Sequence, residues 1–119
     1  MNFAYNRPMT RTYVVTGAGS GIGAAAAELL KGRGYRVIGV DLKNADIEAD
    51  LSTADGRARG AADAASAADG RVDAVIAAAG IAAPRSLTVA VNFFGVTEFL
   101  TAIQPALAKS ASPRAVVVS

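Results

Sequence analysis

Four glycines stand at alternate positions in Thr16-Gly17-Ala18-Gly19-Ser20-Gly21-Ile22-Gly23, directly after the apolar run Tyr13-Val14-Val15. Glycine turns the backbone at positive φ and carries no Cβ, so main-chain N–H groups in such a run can close on a phosphate. A helix beginning there adds unpaired donors and a partial positive charge. Gly17, Gly21 and Gly23 fit T-G-x-x-x-G-x-G, while Gly19, Gly21 and Ala24 fit G-x-G-x-x-A, the broader dinucleotide fingerprint. The implied chemistry is main-chain capture of a pyrophosphate. Asp41 ends the apolar tract Val37-Ile38-Gly39-Val40, close to the ~20-residue offset of an acid that binds a ribose. A plain glycine-rich βα turn with a solvated Asp41 is the competing reading.

The elements that must hold these residues follow from periodicity and turn signals. Strands are predicted at 12–16, 36–40, 46–49, 72–77 and 114–118, and helices at 20–32, 53–68 and 86–109. Their alternation argues for an α/β fold with a parallel sheet and right-handed crossovers. The first helix carries Ile22, Ala25, Ala26, Leu29 and Leu30 as an apolar stripe and stops at Gly32-Arg33-Gly34. The alanine-rich stretch 58–68 reads as an edge helix closed by Asp69-Gly70. The last helix has a core face of Val96, Phe99, Leu100, Ile103 and Leu107, and Pro105 is expected to kink or break it. Residues 1–10 read as an N-terminal tail, and 11–119 as one domain.

Composition narrows the classes. The 119 residues carry 12 basic and 10 acidic side chains, with no cysteine and no histidine. Thiolate chemistry is excluded, and a metal site is not expected. No basic stripe interleaved with aromatics points to nucleic acid. No 18-residue apolar run could span a membrane, and residues 1–10 lack an apolar signal core, so a cytoplasmic location is the expectation.

With these residues in view, the chain resembles the short-chain dehydrogenase/reductases in their short, single-domain form, from about Thr12 to Ser119. Its glycine spacing matches that form; the extended form, which includes sugar epimerases, wants glycine where Ser20 stands. The tracts Val37–Asp41, Ala49–Arg57 and Val91–Glu98 look especially like the bacterial 3α-hydroxysteroid dehydrogenase/carbonyl reductase branch. The resemblance implies a Rossmann-type doubly wound sheet of about five strands in order 3-2-1-4-5, with helices on both faces. It implies NAD as cofactor, held by Gly17, Gly19, Ser20, Gly21, Ile22 and Gly23. Asp41 would take the adenosine ribose hydroxyls and repel a 2′-phosphate, and neither Ser20 nor Leu42, where NADP users tend to carry a base, is basic. Asp50 and Leu51 would hold adenine; Asp50 also reads as an acid before a helix that Ser52 or Thr53 caps. Ala78, Ala79 and Gly80, in Ala77-Ala78-Ala79-Gly80 where the family shows N-N-A-G, would line the nicotinamide ribose.

Asn92, in Val91-Asn92-Phe93-Phe94-Gly95, matches the family's catalytic-tetrad asparagine, which holds a water in a proton relay. A satisfied, buried helix-interior asparagine is the alternative. The loop Ile81–Ser86 is a few residues shorter than usual in the family. The family's tyrosine followed four residues later by lysine is not in this sequence, and the catalytic serine would follow Ser119. The chain is therefore expected to be the cofactor-binding half of an NAD-dependent oxidoreductase acting on a secondary alcohol or ketone, steroid-like or otherwise hydrophobic. A non-catalytic NAD-binding module is the alternative. The resemblance further implies a homo-oligomer, dimer or tetramer, formed through helix 86–109.

Overall fold

The protein is described by a computed structural model over residues 10–80 and 88–118. The tail to Met9, the loop Ile81–Ser86, the start of the predicted helix at Ser86 and Leu87, and Ser119 lie outside the described residues. Five strands, β1 (Thr12–Thr16), β2 (Arg36–Asp41), β3 (Ile47–Glu48), β4 (Ala74–Ala77) and β5 (Arg114–Val117), make one parallel sheet in the order β3-β2-β1-β4-β5. This is the order the resemblance implies. Among the described residues the main helices are α1 (Gly21–Gly32), α2 (Ala54–Ala67) and α3 (Gly95–Leu107), with a π-helical turn at Ala90–Phe94 leading into α3.

Local chemistry sets the boundaries. Thr53 Oγ1 accepts from Gly56 N at 3.0 Å and caps α2, with Asp55 in its first turn against the helix dipole. Asp69 (φ 56°) and Gly70 (φ 84°) turn the chain out of that helix, as their sequence predicts. Gly34 (φ 86°) does the same after α1.

The central strand β1 is buried on both faces of the sheet. Val14, Ile38, Val40 and Val75 pack with Ala61, Ala64, Phe99 and Ile103 of α2 and α3. One residue on along each strand the side chains reverse, and Val37 and Gly39 meet Ala27 and Lys31 of α1 around a cleft. Among the described residues β5 has a partner on one side only, and Val116 and Val117 are 54% and 51% exposed.

Two expectations need correction. Ile22, Ala25 and Leu29 are exposed, not core-facing; α1 buries Gly23 and Ala27 instead. The helix lies so close to the preceding turn that its smallest residues make the contact and its larger ones rotate outward. Pro105 does not break α3, which runs on to Leu107. It sits in the last turn, where the carbonyl deprived of its N–H belongs to exposed Thr101. The departure from regular helix falls at Ala90–Phe94, which the sequence did not mark.

At the other end of the strands, buried Asp73 joins several segments. Its Oδ2 accepts from Thr12 N at 2.8 Å, and its Oδ1 from Ser110 Oγ at 2.7 Å. Arg71 Nη2 lies 3.5 Å from Oδ2, and Arg11 Nη2 donates to the Asp73 and Ser112 carbonyls. Burial, the largest single influence, pushes the carboxyl pKa up. The bonds from Thr12 and Ser110 with the charges of Arg71 and Arg11 together outweigh it and hold the pKa below the ordinary range. A depressed folded-state value stabilises fully above the unfolded value of about 4 and is lost as pH falls through the folded value. Asp73→Asn should therefore cost about 1–3 kcal/mol at neutral pH. In urea unfolding against pH, its gap from wild type should narrow below about pH 4.

Candidate functional site

The C-terminal ends of β1, β2 and β4 are in register. Thr16 pairs with Val40 on one side and Ala77 on the other. The next residues, Gly17, Asp41 and Ala78, therefore emerge side by side at one rim. Gly17 N donates to Val40 O at 2.8 Å, Ala78 N to Thr16 O at 3.2 Å, and Ala79 N to Thr16 Oγ1 at 3.3 Å. These bonds clamp the two turns together. Gly17 (φ 73°) is pressed between them: a Cβ there would stand 2.7 Å from Ala79 N.

The turn delivers α1 with its start facing the rim. Ser20 is the N-cap in an extended conformation, with no side-chain capping bond and no acid in the first turn. The first N–H groups of α1 thus have no intrahelical acceptor. A Cβ on Gly23 would fall 2.1 Å from Gly17 O, so the helix can sit this close only with glycine there. Among the described residues nothing lies within 4 Å of the Cβ position of Gly21 (φ 59°), on the open side above the helix start.

Asp41 closes one side. Its Oδ2 accepts from Gly19 N at 2.9 Å, and its Oδ1 from Leu42 N at 2.7 Å. An ionised carboxylate oxygen has two lone-pair directions, so each retains one for an incoming hydroxyl. Asp50 stands further along. Its Oδ1 accepts both Ser52 N (3.0 Å) and Ser52 Oγ (2.5 Å). These two bonds hold the Asp50 pKa below the ordinary carboxylate range, so it is anionic at neutral pH.

One cleft of about 550 Å³ joins these parts, within the usual range for a small-molecule site. It is lined by Gly17, Ser20, Gly21, Ile22, Asp41, Leu42, Ala49, Asp50, Leu51, Ser52, Ala78, Ala79, Gly80 and Val91. Every residue expected on the cofactor side is among them except Gly19 and Gly23, which act from behind the wall. Ile22, 64% exposed, serves the cleft and not the core. Asn92 is not in the lining, but its Oδ1 lies 3.3 Å from the Cβ position on Gly80. It is exposed, which corrects the view of it as a buried helix-interior residue, and it rides on the π-helical turn. Sequence reasoning missed Ala49, Ser52 and Val91 as cleft residues. Ser52 carried a signal, since a serine two places after an aspartate can donate back to it; Ala49 and Val91 carried none beyond adjacency. Among the described residues no cluster of potential ligands could hold a metal, and no helix is long and apolar enough to cross a membrane.

Comparison with known proteins agrees with this architecture. Residues 13–116 match the NAD dependent epimerase/dehydratase family. A 3-alpha-hydroxysteroid dehydrogenase/carbonyl reductase of Comamonas testosteroni is 38% identical over 109 residues, covering 89% of this chain and 42% of that protein. The 3-alpha-hydroxysteroid dehydrogenase of Pseudomonas sp. B-0831, solved with NADH, superposes with a TM-score of 0.87 at 44% identity, covering 91% of this chain and 47% of that one. A short-chain dehydrogenase of Streptomyces avermitilis gives 0.80 at 26% identity, over 92% of this chain and 49% of that one. These findings bear out the resemblance to the short-chain dehydrogenase/reductases. The chain spans about half the length of the relatives it matches.

The two glycines at the start of α1 should respond differently to substitution. Gly23→Ala forces a Cβ into the Gly17 carbonyl and should lower the thermal midpoint by several degrees, as a 1–3 kcal/mol overpacking defect does in a domain of about this size. Gly21→Ala meets no atom and should carry only the left-handed backbone cost, roughly 1 kcal/mol. Thermal unfolding of both variants, followed by circular dichroism, checks the order.

Proposed function

This chain belongs to the NAD dependent epimerase/dehydratase family, and we propose that its cleft binds NAD(H) as the cofactor-binding part of an oxidoreductase that interconverts a secondary alcohol and a ketone. The observation that carries the reading is Asp41, braced by two main-chain N–H groups on the rim of a cleft that also contains the open start of α1. The residues present fit the cofactor. The N–H groups around Gly21 would hold the pyrophosphate, and Asp41 the adenosine ribose. Asp50 and Leu51 would hold adenine, the Asp50 carboxylate accepting from the exocyclic amine. Ala78, Ala79 and Gly80 would line the nicotinamide side. When bound, the nicotinamide supplies or accepts the hydride.

Asn92, beside Gly80, is the proposed catalytic residue of this segment, holding a water in the proton relay. The names of the relatives support a hydroxysteroid or similar hydrophobic carbonyl compound as substrate. The glycine spacing and those names favour dehydrogenation over epimerisation, and favour an enzyme over a non-catalytic NAD-binding module. Exposed Val89, Phe93 and Phe94 support self-association through the helical segment that ends in α3.

A carboxylate facing a ribose hydroxyl attracts it and repels a 2′-phosphate. Calorimetric titration should therefore show tighter binding of NADH than of NADPH. Asp41→Ala should narrow that preference by about 1–3 kcal/mol, the usual worth of hydrogen bonds to a charged group. Equal or tighter NADPH binding by the wild type would overturn the assignment. The sequence contains no tyrosine followed four residues later by lysine, so the 119-residue chain is expected to bind NADH without oxidising it when offered ketones, as read by NADH absorbance.

A further inference from the structure

Arg57, in the first half of α2, is only 7% exposed, unusual for a residue whose charge is costly to desolvate unless paired. Its guanidinium has three kinds of partner. Nε donates to Glu98 Oε1 at 2.8 Å, in the first turn of α3. Nη1 donates to Leu51 O at 3.1 Å and to Ala90 O at 3.4 Å. The guanidinium carbon also lies 5.8 Å from the centroid of the Phe94 ring, within cation–π range. An aliphatic side chain could fill this space, but only a planar, many-donor group can reach all of these acceptors at once.

The two carbonyl acceptors belong to two segments that each contribute to the cleft lining. Leu51 belongs to the turn that begins with Asp50. Ala90 and Phe94 are the first and last residues of the π-helical turn that carries Asn92. Such wide turns recur at functional sites because the extra residue pushes side chains out of the regular helical path. Here the turn brings Val91 to the cleft lining and Asn92 beside Gly80. The two segments are also close in themselves: a Cβ on buried Gly95 would stand 3.5 Å from Leu51 O.

We propose that Arg57 is a positioning residue that ties the Asp50–Leu51 turn to the π-helical turn bearing Asn92, so that a ligand at the adenine end is registered at Asn92. This rests on the cofactor reading above, because it takes the Asp50–Leu51 end to be the adenine end. Arg57 need not touch ligand. A shift of the Leu51 carbonyl moves the guanidinium, and the guanidinium carries the Ala90 carbonyl with it, while Glu98 keeps the charge neutralised during the movement.

The test uses the ¹⁵N-labelled 119-residue chain and adenosine 5′-monophosphate, which has the adenine and ribose but no nicotinamide. In wild type, the main-chain amide signals of Leu51 and Ser52 and the side-chain amide of Asn92 should shift together along one binding curve. In Arg57→Met, Leu51 and Ser52 should still shift while Asn92 loses its response, and Arg57→Lys should not restore it, because a single ammonium nitrogen cannot replace both the Nε bond to Glu98 and the Nη1 bonds to the two carbonyls. If Arg57→Met fails to fold, Glu98→Gln, which leaves every buried donor in place, is read in the same way and should weaken the Asn92 response. An Asn92 signal that responds fully in the variant, or that stays still in wild type while Leu51 and Ser52 move, overturns the role of Arg57 and leaves the cofactor reading standing. No shift anywhere in wild type removes the cofactor reading itself, and the coupling with it.

Discussion

Main chain packed against main chain at the β1–α1 junction is the constraint from which the rest of the site follows. The Gly17 carbonyl lies where a Cβ of Gly23 would be, and the Gly17 Cβ position is filled by the Ala78–Ala79 backbone. With no side chains intervening, α1 starts directly above the ends of β1 and β4, and its unpaired N–H groups face a cleft. The same closeness explains which way the helix is rotated. Gly23 and Ala27 make the contact, and Ile22 is displaced to the rim, where it becomes cleft wall. A helix set further from the sheet could bury Ile22 and Leu29, but would withdraw its donors from the cleft.

The opposite wall is built by different means. Between β1 and α1 the fit depends on small residues; between β3, α2 and α3 it depends on hydrogen bonds to main-chain groups of irregular segments. Thr53 caps α2, Ser52 fixes the Asp50 carboxylate, and Arg57 takes two carbonyls. Of these groups Arg57 is the buried one, and it must be satisfied, because an unmade bond to a buried group costs more than a made bond contributes. The wall is held by hydrogen bonds, while the core beneath it is held by packing, with Phe99 and Ile103 of α3 against Val75 and Ala61. The two mechanisms meet at α3, whose first turn carries Glu98 and whose next turns carry the core residues.

The sequence made the sheet legible because each strand combines β-branched residues with clear stop signals, and the observed spans differ from the predicted ones by two residues at most. The cradle was equally legible, since glycine spacing reports directly on backbone conformation. What periodicity could not report is distance. The stripe Ile22, Ala25, Leu29 satisfies a helical repeat as well as the buried Gly23, Ala27 face does, and only the close approach to Gly17 decides between them. The π-helical turn was illegible for a related reason. Its five residues, Ala90–Phe94, contain no proline or glycine, and the wide turn is associated with tertiary partners, Arg57 at the Ala90 carbonyl and Phe94 beneath the guanidinium. Asn92 was singled out by the resemblance of its flanking residues, but its exposure goes with that turn and could not be read from them.

The register of the sheet accounts for why these pieces converge. In the order β3-β2-β1-β4-β5, the chain leaves β1 toward β2 and later returns on the other side to β4. The two connections diverge, and a crevice is left over the ends of β1 and β4, the switch point at which open parallel sheets bind ligands. Because Thr16, Val40 and Ala77 are level, the residues after them leave the sheet at one height, so a single flat rim presents a glycine, a carboxylate and a small-residue turn. A slip of one residue in either pairing would reverse which face each side chain occupies. Asp41 would turn with its strand, and Gly17 would lose Val40 as acceptor. The same pairings that bury Val14, Ile38 and Val75 together therefore also set the spacing of the site, and the core and the cleft cannot be varied independently.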